Sequence, residues 1–147
     1  MSEPLVVRFK KVHPGAITPE YKTVGAAAFD IGLVEELVIA PRGITKTRTG
    51  LVIQVPDGHV LLLASRSSNA PKKGLSMANG IGVIDSDYRG PNDEIHLVFQ
   101  NLTDAEIRIP AGERVAQGLI LPVPPVVMEE ITDSITESDR GGFGSTG

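Results

Sequence analysis

The sequence predicts an all-β domain, and three observations carry that expectation. Fifteen valines and thirteen isoleucines exceed twelve leucines and eleven alanines, and β-branched side chains pack best on the pleated surface of a strand. Sixteen glycines and eleven prolines in 147 residues supply more turns than the average of about 12% for the two together. No window keeps an i, i+3, i+4, i+7 apolar pattern over the length of a core helix. Helix is expected only as one or two turns near Ser68–Leu75.

The elements follow in order. Leu5–Phe9 is apolar between Pro4 and Lys10-Lys11 and reads as a first strand; Glu36–Ala40, ended by Pro41, reads as another. Across Thr49–Val55, Leu51, Ile53 and Val55 share one parity and Gln54 the other, the period-2 mark of a half-buried strand. Pro56-Asp57-Gly58 turns the chain into Val60–Ala64, apolar on both faces and so expected at the centre of a sheet, covered on both sides. Ile95, Leu97 and Phe99 alternate with His96 and Gln100, and Ile107 and Ile109 flank Arg108. Strands spaced by roughly 8–12 residues with turns between them describe a sandwich or barrel.

One core serves roughly 100–200 residues, so 147 residues make one domain and exclude a two-domain enzyme. A chain of this size buries roughly 68–70% of its unfolded surface, and 41% apolar residues fill that core without staples. The lack of cysteine excludes disulfides, zinc–thiolate sites and cysteine nucleophiles. The longest apolar run, Val60–Ala64, is far short of the ~20 residues of a membrane helix, and Met1-Ser2-Glu3-Pro4 has an acid where a secretion signal carries bases. A cytoplasmic protein with no membrane partner is expected. A net charge of −4, from 14 basic and 18 acidic residues, argues against a nucleic-acid partner, which needs a basic field to neutralise many phosphates. A small anionic ligand needs only a local cluster. Composition changes after Met128, where 129–140 is polar and acidic and 141–147 consists almost entirely of small residues. The expected organisation is a folded domain over residues 1–128 and a flexible C-terminal arm over 129–147.

Four segments depart from strand-and-turn logic. Ala64-Ser65-Arg66-Ser67-Ser68 gathers a guanidinium and three hydroxyls at the end of an apolar strand. It makes either an anion site with bidentate and hydroxyl donors or a solvated turn whose serine caps a helix. In Gly80-Ile81-Gly82-Val83-Ile84-Asp85-Ser86-Asp87-Tyr88-Arg89-Gly90, two glycines allow a ligand to approach the backbone, and Asp85 follows an apolar pair where a carboxylate gains nothing structurally. Asp85 is a candidate general base or holder of a metal-bound water, against a hairpin turn with solvated acids. In Gly112-Glu113-Arg114-Val115-Ala116-Gln117, Gln117 shares parity with Val115, Leu119 and Leu121, and an amide on a core-facing parity needs a partner, either a ligand or the core itself. The tail Arg140-Gly141-Gly142-Phe143-Gly144-Ser145-Thr146-Gly147 carries an aromatic ring between glycines. It is either a mobile loop that wraps phosphate or plain disorder.

Taken in order, these segments resemble the motifs of the trimeric deoxyuridine triphosphatases (dUTPases). Ala27-Ala28-Phe29-Asp30-Ile31 is similar to the first motif, with Phe29 for the usual Tyr and Ala28 for the usual Gly. Arg66-Ser67-Ser68 is similar to the second, Asn79–Gly90 to the third, Gly112–Gln117 to the fourth and Phe143–Gly147 to the fifth. The resemblance implies a jelly-roll-like β barrel that assembles as a homotrimer with active sites at subunit interfaces. It implies hydrolysis of dUTP to dUMP and pyrophosphate, with Asp85 as the general base that activates water for attack on the α-phosphorus. Asn79 and the backbone of Gly82, Val83 and Ile84 would read uracil, Tyr88 would lie under the deoxyribose, and Arg66, Ser67, Ser68, Gln117 and Arg140 would hold phosphates. Phe143 would cover the base while Gly144, Ser145 and Thr146 close on the γ end. Mg²⁺ held mainly by the phosphates is implied, with Asp30 reaching it through water.

The chemistry suits those residue types. Triphosphate cleavage needs charge stabilisation and positioning, plus one carboxylate to orient and deprotonate water. Fixed main-chain groups match the O4 acceptor and N3–H donor of uracil and reject cytosine, whose pattern there is reversed. Two features depart from the family pattern: Pro91-Asn92-Asp93 lengthens the third motif before Glu94, and Arg140 lies closer to Phe143 than usual. A dCTP deaminase shares the fold and an Arg-Ser-Ser segment but uses a Glu on the strand after the third motif, and that position falls near Leu97 here. A non-catalytic nucleotide-sensing protein of the same fold is the other alternative, opposed by the presence of every catalytic residue type.

Overall fold

The computed structural model describes residues 2–147, and short strands carry almost all of its regular structure. In chain order they are β1 (Arg8–Lys11), β2 (Phe29–Gly32), β3 (Leu37–Ile39), β4 (Ile44–Arg48), β5 (Leu51–Gln54), β6 (His59–Ser65), β7 (Leu75–Met77), β8 (Gly82–Ile84), β9 (His96–Asn101), β10 (Ile107–Ile109) and β11 (Arg114–Pro122). A single helical turn of π type, Asn69–Lys73, lies between β6 and β7. The strands pair antiparallel in sheets of order β2-β11-β6-β8, β4-β9-β7, β1-β5 and β10-β3. Among the described residues no helix is long and apolar enough to cross a membrane.

Alternation builds the core. β9 buries Leu97, Phe99 and Asn101 and leaves His96, Val98 and Gln100 half-buried. Leu97 and Phe99 join Ile31, Leu33, Ile39, Leu51 and Leu61 in one apolar cluster, each large residue worth about 1.5–3 kcal/mol on burial. Asn101 is the polar exception. Its amide nitrogen donates to the carbonyls of Ile39, Ala40 and Ala105, and its oxygen accepts from the Thr103 N–H and hydroxyl, so the buried polar group is paired.

Three expectations need correction. The first strand begins at Arg8 rather than Leu5, because its register with β5 runs from Lys11↔Leu51 to Arg8↔Gln54. Extending it would set Val6 opposite Pro56, which has no N–H to donate. β6 is central between β11 and β8 as expected, but only Leu61 and Leu63 are buried, while Val60, Leu62 and Ala64 are half-buried. One face of that sheet is therefore open in a single chain. In β11 a register shift between Arg114 and Ala116 breaks the parity count, as a bulge does. Val115, Ala116 and Gly118 are buried, whereas Gln117 and Leu119 are half-buried on the other face. Gly118 is needed there, since a Cβ would stand 2.6 Å from Phe29 Cζ.

β11 ends at Pro122, and the Val123 N–H donates to Gly58 O at 2.8 Å. From Leu121 to Gly147 every residue is exposed.

Candidate active site

Three strands of the four-stranded sheet bring polar groups to one end. Gln117 on β11 pairs with Asp30 on β2 and with Ala64 on β6, so an acid and an amide stand in one row beside the Ser65-Arg66 strand end. Gln117 Nε2 donates to Ser65 O at 3.0 Å, Arg66 Nη1 donates to Arg114 O at 3.1 Å, and Arg66 Nε lies 3.7 Å from Asp30 Oδ1. Fully buried Asn69 donates to Ser65 Oγ (2.8 Å) and Val115 O (2.6 Å), which clamps the turn at residues 66–68 onto β11. Ser68 occupies the position before the helical turn but gives it no side-chain cap bond. No side-chain bond supports the helix-cap alternative, and the half-exposed Arg66 guanidinium and its neighbouring hydroxyls are the groups an anion site would use. Behind it, Glu20 bridges to Asp30. The Lys22 hydrogen bond and charge, and more weakly Arg114, hold the Glu20 carboxyl below the usual carboxylate range.

Asp85 sits at the other end. β8 pairs Gly82 with Leu63, Val83 with Leu62 and Ile84 with Leu61, so the next residue, Asp85, lies level with Val60. It lines an open concavity of about 620 Å³ with Val60, Leu62, Val83 and Asp87. Tyr88 follows on a turn closed by its N–H to Asp85 O at 3.1 Å, with its hydroxyl donating to Glu94 O at 2.9 Å. The segment holding Asn79 is not a hairpin between paired strands, because β7 pairs with β9 and β8 with β6. It is a corner between two sheets, turned by Gly80 at φ +75°. Gly82 is required by the sheet, since a Cβ there would meet Leu63 Cβ at 2.9 Å, while β8 itself is an edge strand with one side unpaired.

Six residues separate Val60 from Arg66, about 20 Å along an extended strand. One chain therefore holds Asp85 and the Arg66–Gln117 group at opposite ends of β6. The tail joins neither: Phe143 is fully exposed at φ +52°, and the backbone bonds of that segment, Ser145 N–H to Gly142 O and Gly147 N–H to Gly144 O, are internal. Arg140, Gly144, Ser145 and Thr146 are likewise exposed.

Sequence reasoning missed the group around Glu94. This buried carboxylate receives Arg48 Nε at 3.1–3.2 Å and the Gly50 N–H at 2.8 Å. The available signal was an acid directly before the alternating strand of Ile95, Leu97 and Phe99. Leu97, where the deaminase acid would fall, is a core residue.

The fold and these groups define a class: an all-β protein whose central sheet carries a guanidinium, hydroxyls and an amide at one end and a separate, exposed aspartate at the other. Within that class a family model, dUTPase, matches residues 15–147. A deoxyuridine 5'-triphosphate nucleotidohydrolase of Wolinella succinogenes is 41% identical over 143 residues, spanning 96% of this chain and 93% of the relative. The crystal structure of dUTPase from Streptococcus mutans, 35% identical, superposes with a TM-score of 0.74 over 82% of this chain and 98% of that one. The dUTPase of Staphylococcus bacteriophage 80alpha, solved with dUPNHPP, is 26% identical with a TM-score of 0.85 over 97% and 98% of the two chains. The chain belongs to the dUTPase family, and its fold is the jelly-roll-like β fold of those enzymes.

Proposed function

We infer that the dUTP hydrolysis carried out by this chain, giving dUMP and pyrophosphate, takes place in a site that copies of the chain build together, with Asp85 as its base. The observation that carries this is the placement of Asp85 level with Val60 at one end of β6 and of Gln117 and Arg66 at its other end, about 13 and 20 Å away along the strand. The two ends are too far apart to contact one phosphate group together, and a second copy laid against the open face of the sheet supplies the missing half. A homotrimer, the assembly of the resembling family, closes such a site three times over, since a heterologous contact that closes makes a ring.

In that site Asp85 accepts a proton from a water whose oxygen bonds to the α-phosphorus, the bond from that phosphorus to the bridging oxygen breaks, and pyrophosphate leaves dUMP behind. Arg66, Ser67, Ser68 and Gln117 hold phosphate oxygens and stabilise the charge that develops on them. Asn79 and the unpaired side of β8 at Gly82, Val83 and Ile84 offer fixed main-chain groups to uracil, and the Tyr88 ring lies against the deoxyribose. The arm, residues 129–147, folds over bound nucleotide, with Phe143 stacking on the base and Arg140, Gly144, Ser145 and Thr146 closing on the γ end.

No three carboxylates or imidazoles converge on a metal cage among the described residues. Asp30, beside Arg66, is the carboxylate that would reach a phosphate-bound Mg²⁺ through water. Bound there, the ion neutralises triphosphate charge. The nucleotide analogue in the 80alpha enzyme supports a dUTP-like ligand. Removing dUTP and supplying dUMP for thymidylate synthesis is the work of a cytoplasmic protein with no nucleic-acid or membrane partner.

The test is turnover of dUTP by the pure protein with Mg²⁺. Asp85→Asn keeps the side-chain shape but removes the base and should cost about 10²–10⁴-fold in kcat. Normal turnover by this variant would remove Asp85 from the mechanism.

A further inference from the structure

We propose that Glu94 and the inserted turn Pro91-Asn92-Asp93 form a clamp that fixes the Tyr88 ring and thereby sets discrimination between deoxyribose and ribose. The proposal rests on the reading of Tyr88 as the wall beneath the sugar. Glu94 is anchored from both sides. Its carboxylate accepts from Arg48 Nε and the Gly50 N–H, with His96 Nε2 at 3.5 Å. The next residue is tied as well: the Ile95 N–H donates to Leu51 O at 2.8 Å, and Ile95 O accepts the Thr49 hydroxyl at 2.6 Å.

Gly50 is itself held, because its carbonyl accepts the Val12 N–H at 2.8 Å while its own N–H is given to Glu94. The carbonyl oxygen of Glu94 is thus a fixed acceptor, and the Tyr88 hydroxyl donates to it at 2.9 Å. Between the two residues, the Gly90 N–H donates to Asp93 Oδ2 at 2.8 Å and the Asp93 N–H to Gly90 O at 3.1 Å. The insertion closes on itself and sets the span from Tyr88 to Glu94. Tyr88 is 38% exposed, so the core does not enclose its ring and this hydrogen bond restrains it. A steric wall discriminates only as well as it is held in place.

The experiment compares kcat/KM for dUTP and UTP in the full chain and in Tyr88→Ala, Tyr88→Phe and Glu94→Gln. Tyr88→Phe keeps the ring and removes only its tie to Glu94. It should lower the dUTP-to-UTP ratio by about two- to tenfold, the worth of one hydrogen bond, through a gain on UTP. Glu94→Gln should shift the ratio the same way, because it loosens the anchor while keeping an acceptor for the Gly50 N–H. A structural role alone would lower both substrates together and leave the ratio in place. If Tyr88→Ala collapses the ratio while Tyr88→Phe leaves it at the parent value, the clamp is refuted and the wall stands. An unchanged ratio in Tyr88→Ala removes the wall and the clamp with it. Should Glu94→Gln fail to fold, Tyr88→Phe decides alone.

Discussion

Ending the chain at Asp139 separates folding from catalysis. The eight residues removed, Arg140–Gly147, are all exposed, and their backbone bonds, Ser145 N–H to Gly142 O and Gly147 N–H to Gly144 O, lie within the deleted piece. No buried apolar surface and no partner of the body is lost. Surface changes of this kind stay within about 0.5 kcal/mol, which for a chain of this size moves Tm by no more than about 2 °C. Catalysis should respond far more strongly, because on the proposed reading the lost groups are donors and a stacking ring that act only on bound nucleotide. Removing one donor that stabilises developing charge costs about 10²–10³-fold in kcat. Thermal unfolding by circular dichroism and dUTP turnover, measured on the same preparation, give the two readouts. Unchanged turnover would show that the tail is not a lid, and a large fall in Tm would show that it is part of the fold.

Other outcomes follow from the same geometry. Light scattering should find the protein at about three times 15.6 kDa, and an active monomer would exclude a shared site. Gly118→Ala should destabilise by about 1–3 kcal/mol through overpacking, since the new Cβ meets Phe29 and Leu61 at 2.6–3.0 Å; urea unfolding reads it, and an unchanged midpoint would mean that β2 yields freely. Incubation with dCTP should release no ammonia, because the core residue Leu97 holds the place of the deaminase acid.

Much of the fold was legible because alternation is a local property. Leu51, Ile53, Leu97 and Phe99 could be assigned to a core face from spacing alone. β4 was missed because Ile44–Arg48 is largely polar, and its place is set by pairing with β9. β7 and β8 have three residues each, too few to show a period. The parity of Gln117 misled because a bulge inserts one residue into the count, and bulges leave little mark in sequence. Motif chemistry pointed to Asp85, Arg66 and Gln117, yet their separation appeared only with the register of β6 against β8 and β11. Glu94 escaped notice because its role depends on Arg48 and Gly50, more than forty residues earlier.

Complementation between two inactive variants tests the shared site most directly. Asp85→Asn and Arg66→Ala chains, each trimeric and each nearly inactive alone, are unfolded, mixed in equal amounts and refolded together. With random assembly, about a quarter of sites draw an intact Asp85 from one copy and an intact Arg66 from the next. Turnover near a quarter of the parent value is expected. Turnover that stays at the level of the separate variants would contradict a site built from more than one chain.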